Sequence, residues 1–344
     1  MKKYSFLLSG LALLMLGAGT VNAETTNVVN GSSLTVTKSF DLMEGVLAPK
    51  TDFTFTVTSQ KLAIPNEHKD GLDVYEGIIE GLDNSSKVIS YENTDTQTTK
   101  VKNISFDFSN VKYEKPGIYR YLVTETKGNT PGVTYSEKKY IVDVYVLNEN
   151  KQLKPTYIVS HEEGQTTKEP IKFDNKFKTT SLQVKKSVKG NAGDRNKEFN
   201  FKITLNANEY YATGSVIKAK INKKDGSVSE QKLVIGENNV KLKDSEFLTI
   251  DKMPIGITYK VTEDMVDGYQ QTATLDNDGN GINQAEDYKF TDQVSDDTPD
   301  EITVTNTKNV NTPTGVAMTI APYAAVTLVG VGGALYLLKK KKLN

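Results

Sequence analysis

The chain of 344 residues has no cysteine, no tryptophan and only two histidines. Without cysteine it cannot form the disulfides that staple many extracellular proteins, or a Cys–His nucleophile pair. His68 and His161 are too few for a histidine-rich metal site, and no Gly-x-Ser-x-Gly motif is present. A net charge of −1 gives no signal for nucleic-acid binding. We therefore predict no enzyme site, no metal and no cofactor.

The N-terminus has the pattern of a secretory signal peptide. Two lysines precede an apolar stretch from Phe6 to about Ala18, and Val21 and Ala23 supply small residues at the −3 and −1 positions of a cleavage site. We expect cleavage after Ala23, which places the mature chain outside the cell and removes residues 1–23 from the fold. An uncleaved N-terminal membrane anchor is the alternative, and the cleavage motif argues against it.

A second apolar segment lies near the C-terminus. The 23 residues from Val316 to Leu338 carry no charge, and a helix of that length crosses the roughly 30 Å hydrocarbon core of a membrane. Four lysines follow at once and would remain on the cytoplasmic side. We expect this segment to act as a stop-transfer signal that holds the precursor in the membrane.

Between the two ends the sequence alternates apolar and polar residues. Runs such as "DFTFTVT" and "KYIVDVYVL" are typical of half-buried strands, and turn-type residues separate them. No long amphipathic helix is evident in the sequence. The pattern predicts an all-β fold built of sandwiches.

The middle of the chain also repeats itself. Four segments of the first half resemble four of the second half in the same order: "LTVTKSFDL" at 34–42 and "LQVKKSVKG" at 182–190, "TDFTFTVT" at 51–58 and "KEFNFKIT" at 197–204, "EKPGIYRYLVTET" at 114–126 and "KMPIGITYKVTED" at 252–264, and "IKFDNKF" at 171–177 and "ITVTNTK" at 302–308. This order predicts two similar domains, 24–177 and 178–309, followed by a C-terminal segment, 310–344. Almost no linker separates the two domains, which favours a stiff, elongated rod.

Three polar residues recur at equivalent places in the two repeats: Lys38 and Lys186 on the first strand, Glu125 and Glu263 on a middle strand, and Asn175 and Asn306 on the last strand. Leu34, Val36 and Lys38 share one strand face at period two, so the lysine points toward the predicted core. A lysine almost never lies in a core unpaired. Each residue alone would be interpreted as a solvated surface residue, but the repeated triplet argues for a functional set.

With these residues in place, each domain resembles the Cna-B type of immunoglobulin-like domain of Gram-positive surface proteins. The whole chain resembles the T-antigen-type major pilins, the backbone subunits of streptococcal pili, in the order of its Lys, Glu and Asn positions and in both terminal signals. The tryptophan-containing motif of some other Gram-positive pilins is absent, which fits this subgroup. The resemblance implies two tandem immunoglobulin-like β-sandwiches in a secreted structural protein of the cell wall and pilus.

The resemblance also implies internal isopeptide bonds, in which the first-strand lysine condenses with the last-strand asparagine: Lys38 with Asn175, and Lys186 with Asn306. Burial lowers the pKa of a lysine, so that it can attack as the neutral amine, and favours the protonated form of a carboxylic acid. Glu125 and Glu263 would then polarise the asparagine carbonyl and carry protons to the departing ammonia. Each domain would react once, without turnover, so the protein would not be an enzyme in the usual sense.

The motif "NTPTG" at 311–315, placed just before the apolar run, resembles a sortase sorting signal. A sortase cysteine would cleave between Thr314 and Gly315 and hold Thr314 as a thioester until a lysine of another subunit resolves it. The motif departs from the common Leu-Pro-x-Thr-Gly, in keeping with the T-antigen subgroup. The matching family segment assigns the acceptor to Lys168, which Pro170 and polar neighbours place in an exposed loop, expected near the domain junction.

The implied partners are a pilus sortase, identical subunits in a covalent homopolymer, minor tip and base pilins, and peptidoglycan. The membrane would be contacted only through the precursor tail. A monomeric, wall-anchored Cna-B adhesin or stalk is the alternative, and it would not require Lys168. A secreted enzyme is a third class, for which the sequence offers no site.

One loop partly matches a calcium-binding pattern. In "DNDGNGINQAED" at 276–287, Asp276, Asp278 and Asn280 fall at positions 1, 3 and 5. The last position holds Asp287 instead of the usual glutamate, and the flanks have the pattern of strands rather than helices. Because Asp, Asn and Gly also form ordinary hairpin loops, we assign no metal site here.

Overall fold

The structure is a computed structural model that describes residues 27–276 and 285–310. The expected signal peptide, the sorting motif and the apolar C-terminal run lie outside the described residues, as does most of the suggested calcium loop. Within the two described ranges, no helix combines the length and the apolar character needed to cross a membrane.

Strands make up nearly all of the regular structure. The first twelve are β1 (Val28–Asn30), β2 (Ser33–Asp41), β3 (Thr51–Ser59), β4 (His68–Lys69), β5 (Leu72–Glu76), β6 (Ser86–Tyr91), β7 (Val101–Asp107), β8 (Gly117–Glu125), β9 (Val133–Thr134), β10 (Lys139–Glu149), β11 (Gln152–Glu162) and β12 (Ile171–Phe177). The next eleven are β13 (Thr179–Lys189), β14 (Phe199–Leu205), β15 (Val216–Asn222), β16 (Val228–Val234), β17 (Gly236–Leu242), β18 (Phe247–Pro254), β19 (Thr258–Glu263), β20 (Gln270–Asp276), β21 (Glu286–Asp287), β22 (Gln293–Val294) and β23 (Asp300–Thr307). A single 3-10 turn at Gln97–Thr99 is the one helical element of the described chain. The prediction of an all-β fold is confirmed.

Four sheets arrange these strands in two sandwiches. In the first, the sheet β1-β11-β10-β8-β3-β6, with β4 and β5 attached beside β8, packs on the sheet β7-β2-β12-β9. In the second, the sheet β16-β15-β18-β13-β23-β20-β21 packs on the sheet β17-β14-β19-β22. Strands β1 to β12 pair only among themselves, as do β13 to β23, within the part of the chain that the structure describes. The prediction of two tandem β-sandwich domains is confirmed.

Alternation along the strands builds the two cores. In β12 the odd-numbered residues are buried and the even-numbered ones are exposed. Phe199, Phe201, Ile203 and Leu205 of β14 are buried in the same way, at every second position. One face of each strand therefore packs inside the sandwich while the other remains in water. The lysines and asparagines of the repeats occupy such inward-facing positions.

The first and last long strands of each domain lie side by side and run parallel. β2 pairs with β12 in the first domain, and β13 pairs with β23 in the second. One residue, Lys178, separates the end of β12 from the start of β13. β12 therefore runs toward the second domain, whereas β23, parallel to β13, runs away from the first. Residue 310 lies at the end of the second domain that is farthest from the junction.

Asn93 connects the two domains at their junction. Its Nδ2 donates to the carbonyls of Ala48 at 2.7 Å and Tyr210 at 2.8 Å, and its Oδ1 accepts from the N–H of Ala212 at 2.9 Å. The N–H of Lys50 also donates to the carbonyl of Tyr210, at 2.9 Å. The domains are thus joined end to end by a polar contact as well as by the continuous chain.

Candidate functional site

The sheet register brings the lysine and asparagine of each repeat to the same face. Lys38 of β2 lies opposite Phe173 of β12, and Asn175, two residues further along, lies opposite Phe40. Because side chains alternate with a period of two, Lys38 and Asn175 both point into the sandwich. They are neighbours across a parallel ladder although 137 positions separate them along the chain.

The second domain repeats this register. Lys186 of β13 lies opposite Val304 of β23, and Asn306 lies opposite Val188. The asparagine is again displaced by two residues from the partner of the lysine. Two parallel strand pairs therefore present the same pair of functional groups at the same relative positions.

The glutamate of each set comes from the facing sheet. Glu125 is the last residue of β8 and lies opposite Phe55 of β3. Glu263 is the last residue of β19 and lies opposite Phe201 of β14. The carboxylate thus enters the core from the sheet opposite the Lys–Asn ladder, and it meets both groups between the two layers.

In the first domain, Glu125 bridges the lysine and the asparagine. Lys38 Nζ donates to Glu125 Oε2 at 2.7 Å, and Asn175 Nδ2 donates to Glu125 Oε1 at 2.5 Å. The side chains of Lys38 and Glu125 are both fully buried. The backbone N–H of Ser136 donates to Asn175 Oδ1 at 2.8 Å. The amide carbonyl of Asn175 is therefore held by a fixed donor on the side away from the carboxylate.

In the second domain, Glu263 bridges the same two groups. Lys186 Nζ lies 2.9 Å from Glu263 Oε2, and Asn306 Nδ2 donates to Glu263 Oε1 at 2.5 Å. The Oδ1 atom of Asn306 is buried and has no hydrogen-bond partner among the described residues. Gln271 Nε2 donates to Glu263 Oε1 at 3.1 Å. Here the extra donor contacts the carboxylate rather than the asparagine carbonyl.

Burial makes both lysines more readily deprotonated. Desolvation lowers the pKa of Lys38 from 10.5 to about 8, although the neighbouring Glu125 carboxylate opposes this change. Desolvation also lowers the pKa of Lys186, against the opposing effect of Glu263. Aromatic rings supply the apolar surroundings, since Lys38 Nζ lies 4.0 Å from the centre of the Phe53 ring and Lys186 Nζ lies 4.2 Å from that of Phe199. The amine form, which is the nucleophile, is therefore more accessible than in an exposed lysine.

The arrangement has the parts required for amide exchange. It holds an amine of lowered pKa, a carboxamide and one carboxyl group that contacts both, all shielded from water. Such a carboxyl group can relay a proton between the amine and a leaving ammonia. Because the three groups are placed by the fold, the entropy of bringing them together is lost during folding and not in the reaction.

Lys168 lies in the loop between β11 and β12, where it is exposed. Its backbone carbonyl accepts a hydrogen bond from Asn27 Nδ2 at 2.6 Å. The expectation that it lies near the domain junction is wrong. β12 begins three residues later and then runs toward the junction, so Lys168 is at the opposite end of that strand. Thr314 and Gly315 lie outside the described residues.

Two groups of the site were missed by sequence reasoning. Ser136 acts through its backbone N–H, and every residue except proline carries such a group, so no side-chain pattern marks it. Gln271 lies on β20, and its segment is not one of the four that repeat between the halves. Among residues 27–276 and 285–310, no group of three or more His, Cys, Asp or Glu side chains is placed to hold a metal ion.

Comparison with protein families matches each half of the chain to a separate model. The model described as a Spy0128-like isopeptide containing domain matches residues 34–178. A model described as a domain of unknown function (DUF7601) matches residues 180–308.

Individual relatives are similar over nearly the whole chain. A pilin of Streptococcus pyogenes serotype M1 is 41% identical over 350 residues, which cover 99% of this chain and 99% of the relative. The solved structure of the major pilin protein T3.2 from Streptococcus pyogenes serotype GAS13637 matches with a TM-score of 0.75 and 39% identity, over 82% of this chain and 99% of that one. A crystal structure of the major pilin from Streptococcus pyogenes matches with a TM-score of 0.73 and 34% identity, over 82% of this chain and 100% of that one.

Proposed function

The chain belongs to the streptococcal pilin family and is a backbone subunit of a cell-surface pilus, and from this premise we propose that it is held together by two internal isopeptide bonds and polymerised by a sortase. The observation that supports the internal bonds most directly is the buried glutamate that contacts a lysine and an asparagine in each domain.

The first reaction joins Lys38 to Asn175. The neutral Nζ of Lys38 attacks the side-chain carbonyl carbon of Asn175, and Glu125, which contacts both groups, takes up the proton that the attacking amine releases. The new C–N bond forms as the C–NH₂ bond breaks, and Glu125 passes the proton released by the amine to the departing ammonia. The same steps join Lys186 to Asn306 with Glu263 as the proton carrier. Each domain loses one ammonia and reacts once.

These bonds would stiffen the protein in two ways. A crosslink that closes a loop of more than 100 residues stabilises the folded state by roughly 5 kcal/mol in the chain-entropy model. It also joins the first strand of each domain to the last, and in the second domain a pulling force would pass through this covalent bond, which reductants cannot cleave. A protein without cysteine gains in this way the type of reinforcement that disulfides give other extracellular proteins.

Intact-mass measurement of the mature chain tests the internal bonds. We expect a mass lower than the sequence mass by two ammonia molecules, with Asn175→Ala and Asn306→Ala each restoring one of them relative to the mass expected for the variant. Tryptic peptides should show Lys38 joined to the peptide of Asn175. A native chain with the full sequence mass would refute both bonds.

The second proposed reaction joins subunits. The sortase thiolate attacks the carbonyl carbon of Thr314, and the Thr314–Gly315 bond breaks with release of the Gly315 amine. The Nζ of Lys168 on another subunit then attacks the thioester, which forms the amide and releases the thiol. Exposure of Lys168 supports its role as acceptor. Lys168 lies in the first domain, at the end of β12 away from the junction, and residue 310 lies at the far end of the second domain, which supports a head-to-tail polymer.

An immunoblot of wall material tests this polymer and its acceptor. Cells with the sortase should give a ladder of covalent multimers from the native chain, and Lys168→Ala should collapse it to monomer. Lys139→Ala is a matched control, because Lys139 is also an exposed lysine of the first domain. A ladder that survives Lys168→Ala would move the acceptor to another lysine.

Absence of any ladder from the native chain would favour the other candidate, a monomeric wall-anchored adhesin or stalk. For the polymer, we propose that minor pilins occupy the tip and base and that the base is attached to peptidoglycan in the cell wall. The membrane would hold the precursor only through its C-terminal segment, which cleavage at Thr314 removes.

A further inference from the structure

An apolar pocket opens at one end of the first domain. Its volume is about 420 Å³, and its wall includes Leu72, Pro116, Tyr145, Leu147 and Tyr157. Pro116 immediately precedes β8. The loop that follows β8 reaches the second domain, since Pro131 lies 2.7 Å from the position that a Cβ on Gly256 would occupy. Because β8 runs from the pocket toward the junction, the pocket is at the end that faces away from the second domain.

The pocket lies close to the proposed acceptor lysine. Asn27 donates from its side chain to the Lys168 carbonyl at 2.6 Å. The next residue, Val28, packs on the small apolar cluster that contains Tyr145, and Tyr157 packs on the same cluster. Lys168 and the pocket are thus connected through two consecutive residues of the N-terminal segment.

The far end of the second domain carries an exposed methionine. Met265 has 86% of its surface exposed, the largest fraction among the exposed large apolar residues of the described chain. It lies in the loop between β19 and β20. That loop contacts the C-terminal segment, because a Cβ on Gly268 would lie 3.3 Å from Lys308 Nζ. Val310, two residues after Lys308, is also exposed.

The proposed head-to-tail bond limits how far apart these two ends can lie. Four residues lead from Val310 to Thr314, and at full extension they span at most about 14 Å. If Thr314 is joined to Lys168 of the next subunit, residue 310 must lie within that distance plus the length of one lysine side chain. The end that carries Met265 must therefore lie close to the end that carries the pocket.

We propose that Met265 of one subunit inserts into the apolar pocket of the next subunit, so that a second copy of this chain is the occupant. The proposal rests on the head-to-tail linkage proposed above. Methionine is unbranched and flexible, so it fills an apolar opening without a demanding fit. The contact fixes how successive subunits are rotated relative to each other.

Cross-linking of assembled pili tests the contact, and the chain offers a clean background because it has no cysteine. We would express the full chain as the double variant Met265→Cys with Leu147→Cys, together with its sortase, and treat the pili with a short bismaleimide. Digestion and mass spectrometry should recover the peptide of residue 265 joined to that of residue 147. The matched control is Met43→Cys with Leu147→Cys, which should give no such product. Met43 is also exposed, but it lies near the domain junction, where Lys252 of the second domain donates to the carbonyl of the next residue, Glu44.

A second variant measures the effect on assembly. Met265→Asp should slow multimer formation by about tenfold, since burial of a methionine side chain is lost, while its unfolding temperature should match that of the native chain. A full ladder from the double-cysteine variant without the 265–147 product would overturn the docking contact and leave the polymer intact. Unchanged assembly of Met265→Asp would also count against it. Absence of a ladder from the native chain would refute the head-to-tail linkage and the docking with it.

Discussion

The two domains share the positions of their Lys, Glu and Asn groups but differ in what surrounds the asparagine. In the first, the N–H of Ser136 holds the carbonyl oxygen of Asn175 at 2.8 Å. In the second, the corresponding oxygen of Asn306 has no partner among the described residues, and Gln271 instead donates to the carboxylate. A donor on the carbonyl stabilises the oxyanion of an attacked amide, whereas a donor on the carboxylate does not. The strand register places the lysine and asparagine in the same way in both domains, whereas the nearby donor differs: a loop N–H in the first domain and the Gln271 side chain of β20 in the second.

The domains also differ in their place along the proposed line of force. Lys168 lies three residues before β12, and β12 continues into β13 after one residue. A pull between Lys168 and Thr314 therefore runs along β12, crosses the junction and enters β13. At Lys186 the proposed bond transfers the load to Asn306 on the last strand. In this path the second proposed bond would carry the load, whereas the first would clamp β12 to β2 beside the line of force.

Pulling single molecules between positions 168 and 310 would test this difference, and we expect the largest effect here. Glu263→Ala should block the second bond and allow residues 187–305 to unfold, which adds on the order of 400 Å of chain. Glu125→Ala should add no comparable length, because Lys38 lies outside the stretched path. Equal lengthening of the two variants would contradict the proposed path, and the native chain serves as the inextensible control.

Thermal and chemical unfolding would show which of the two glutamates contributes more to the free energy of unfolding. Removal of either leaves a buried lysine without its partner, at a cost of about 3–5 kcal/mol in the free energy of unfolding. The loss of the bond itself should add to this, and the intact mass should rise by one ammonia relative to the mass of a linked variant. We expect Glu263→Ala to be the more destabilised, by about 1 kcal/mol, because Asn175 keeps its bond to Ser136.

Glu163→Ala is the control for this series. Its carboxylate is on the surface, with about half of the side chain exposed, so its removal should change stability by less than about 1 kcal/mol. A Glu125→Ala variant that is less stable than Glu263→Ala would contradict the role assigned to Ser136.

Replacement of Ser136 by proline would test the carbonyl donor alone. Proline has no N–H, so Ser136→Pro should slow formation of the first bond by about 100-fold and leave the second unaffected. The measurement is the intact mass as a function of time after refolding. Ser136→Ala keeps the N–H and should react at the native rate. If both variants link the first domain as quickly as the native chain, the N–H does not assist the reaction.

The smallest expected effect is a difference between the two domains in how their unfolding free energy depends on pH. Burial raises the pKa of Asp300 in the second domain to about 6, against the opposing hydrogen bond from Tyr259. The folded state then binds the proton more tightly than the unfolded state, so this group's contribution to stability is complete below about pH 4 and is lost as the pH rises through 6. Asp300→Asn should remove that decline, measured as the difference in unfolding free energy between native and variant chains.

In the first domain, the change of stability with pH that one carboxyl group causes should have the opposite sign. Burial would raise the pKa of Asp143, but hydrogen bonds from Arg120 and Lys69 hold it below its usual range. Its stabilisation is therefore present above about pH 4 and is lost as the pH falls through its folded-state pKa. Asp143→Asn should reduce stability at neutral pH and have less effect in acid. Parallel slopes for the two variants would contradict this assignment.

The sequence alone determined the all-β class, the tandem arrangement and the set of Lys, Glu and Asn positions. It could do so because strand faces alternate with a period of two, and because a lysine such as Lys38 among apolar neighbours on one face stands out in a repeat. These features are local in the chain. The same residues recur in the same order in the second half, ending with Asn306, and this repetition indicates that the pattern is not due to chance.

Only the tertiary structure decided which groups meet. The parallel pairing of β2 with β12 brings together residues more than a hundred positions apart, and no local pattern specifies that ladder. The Ser136 donor is a backbone group in a loop, so it has no signature in the sequence. We expected Lys168 near the junction, but it lies at the other end of β12, because the direction of β12 relative to the junction depends on how the sandwich closes. Strand direction and loop position result from packing of the whole domain, and for that reason they were not readable from the residues alone.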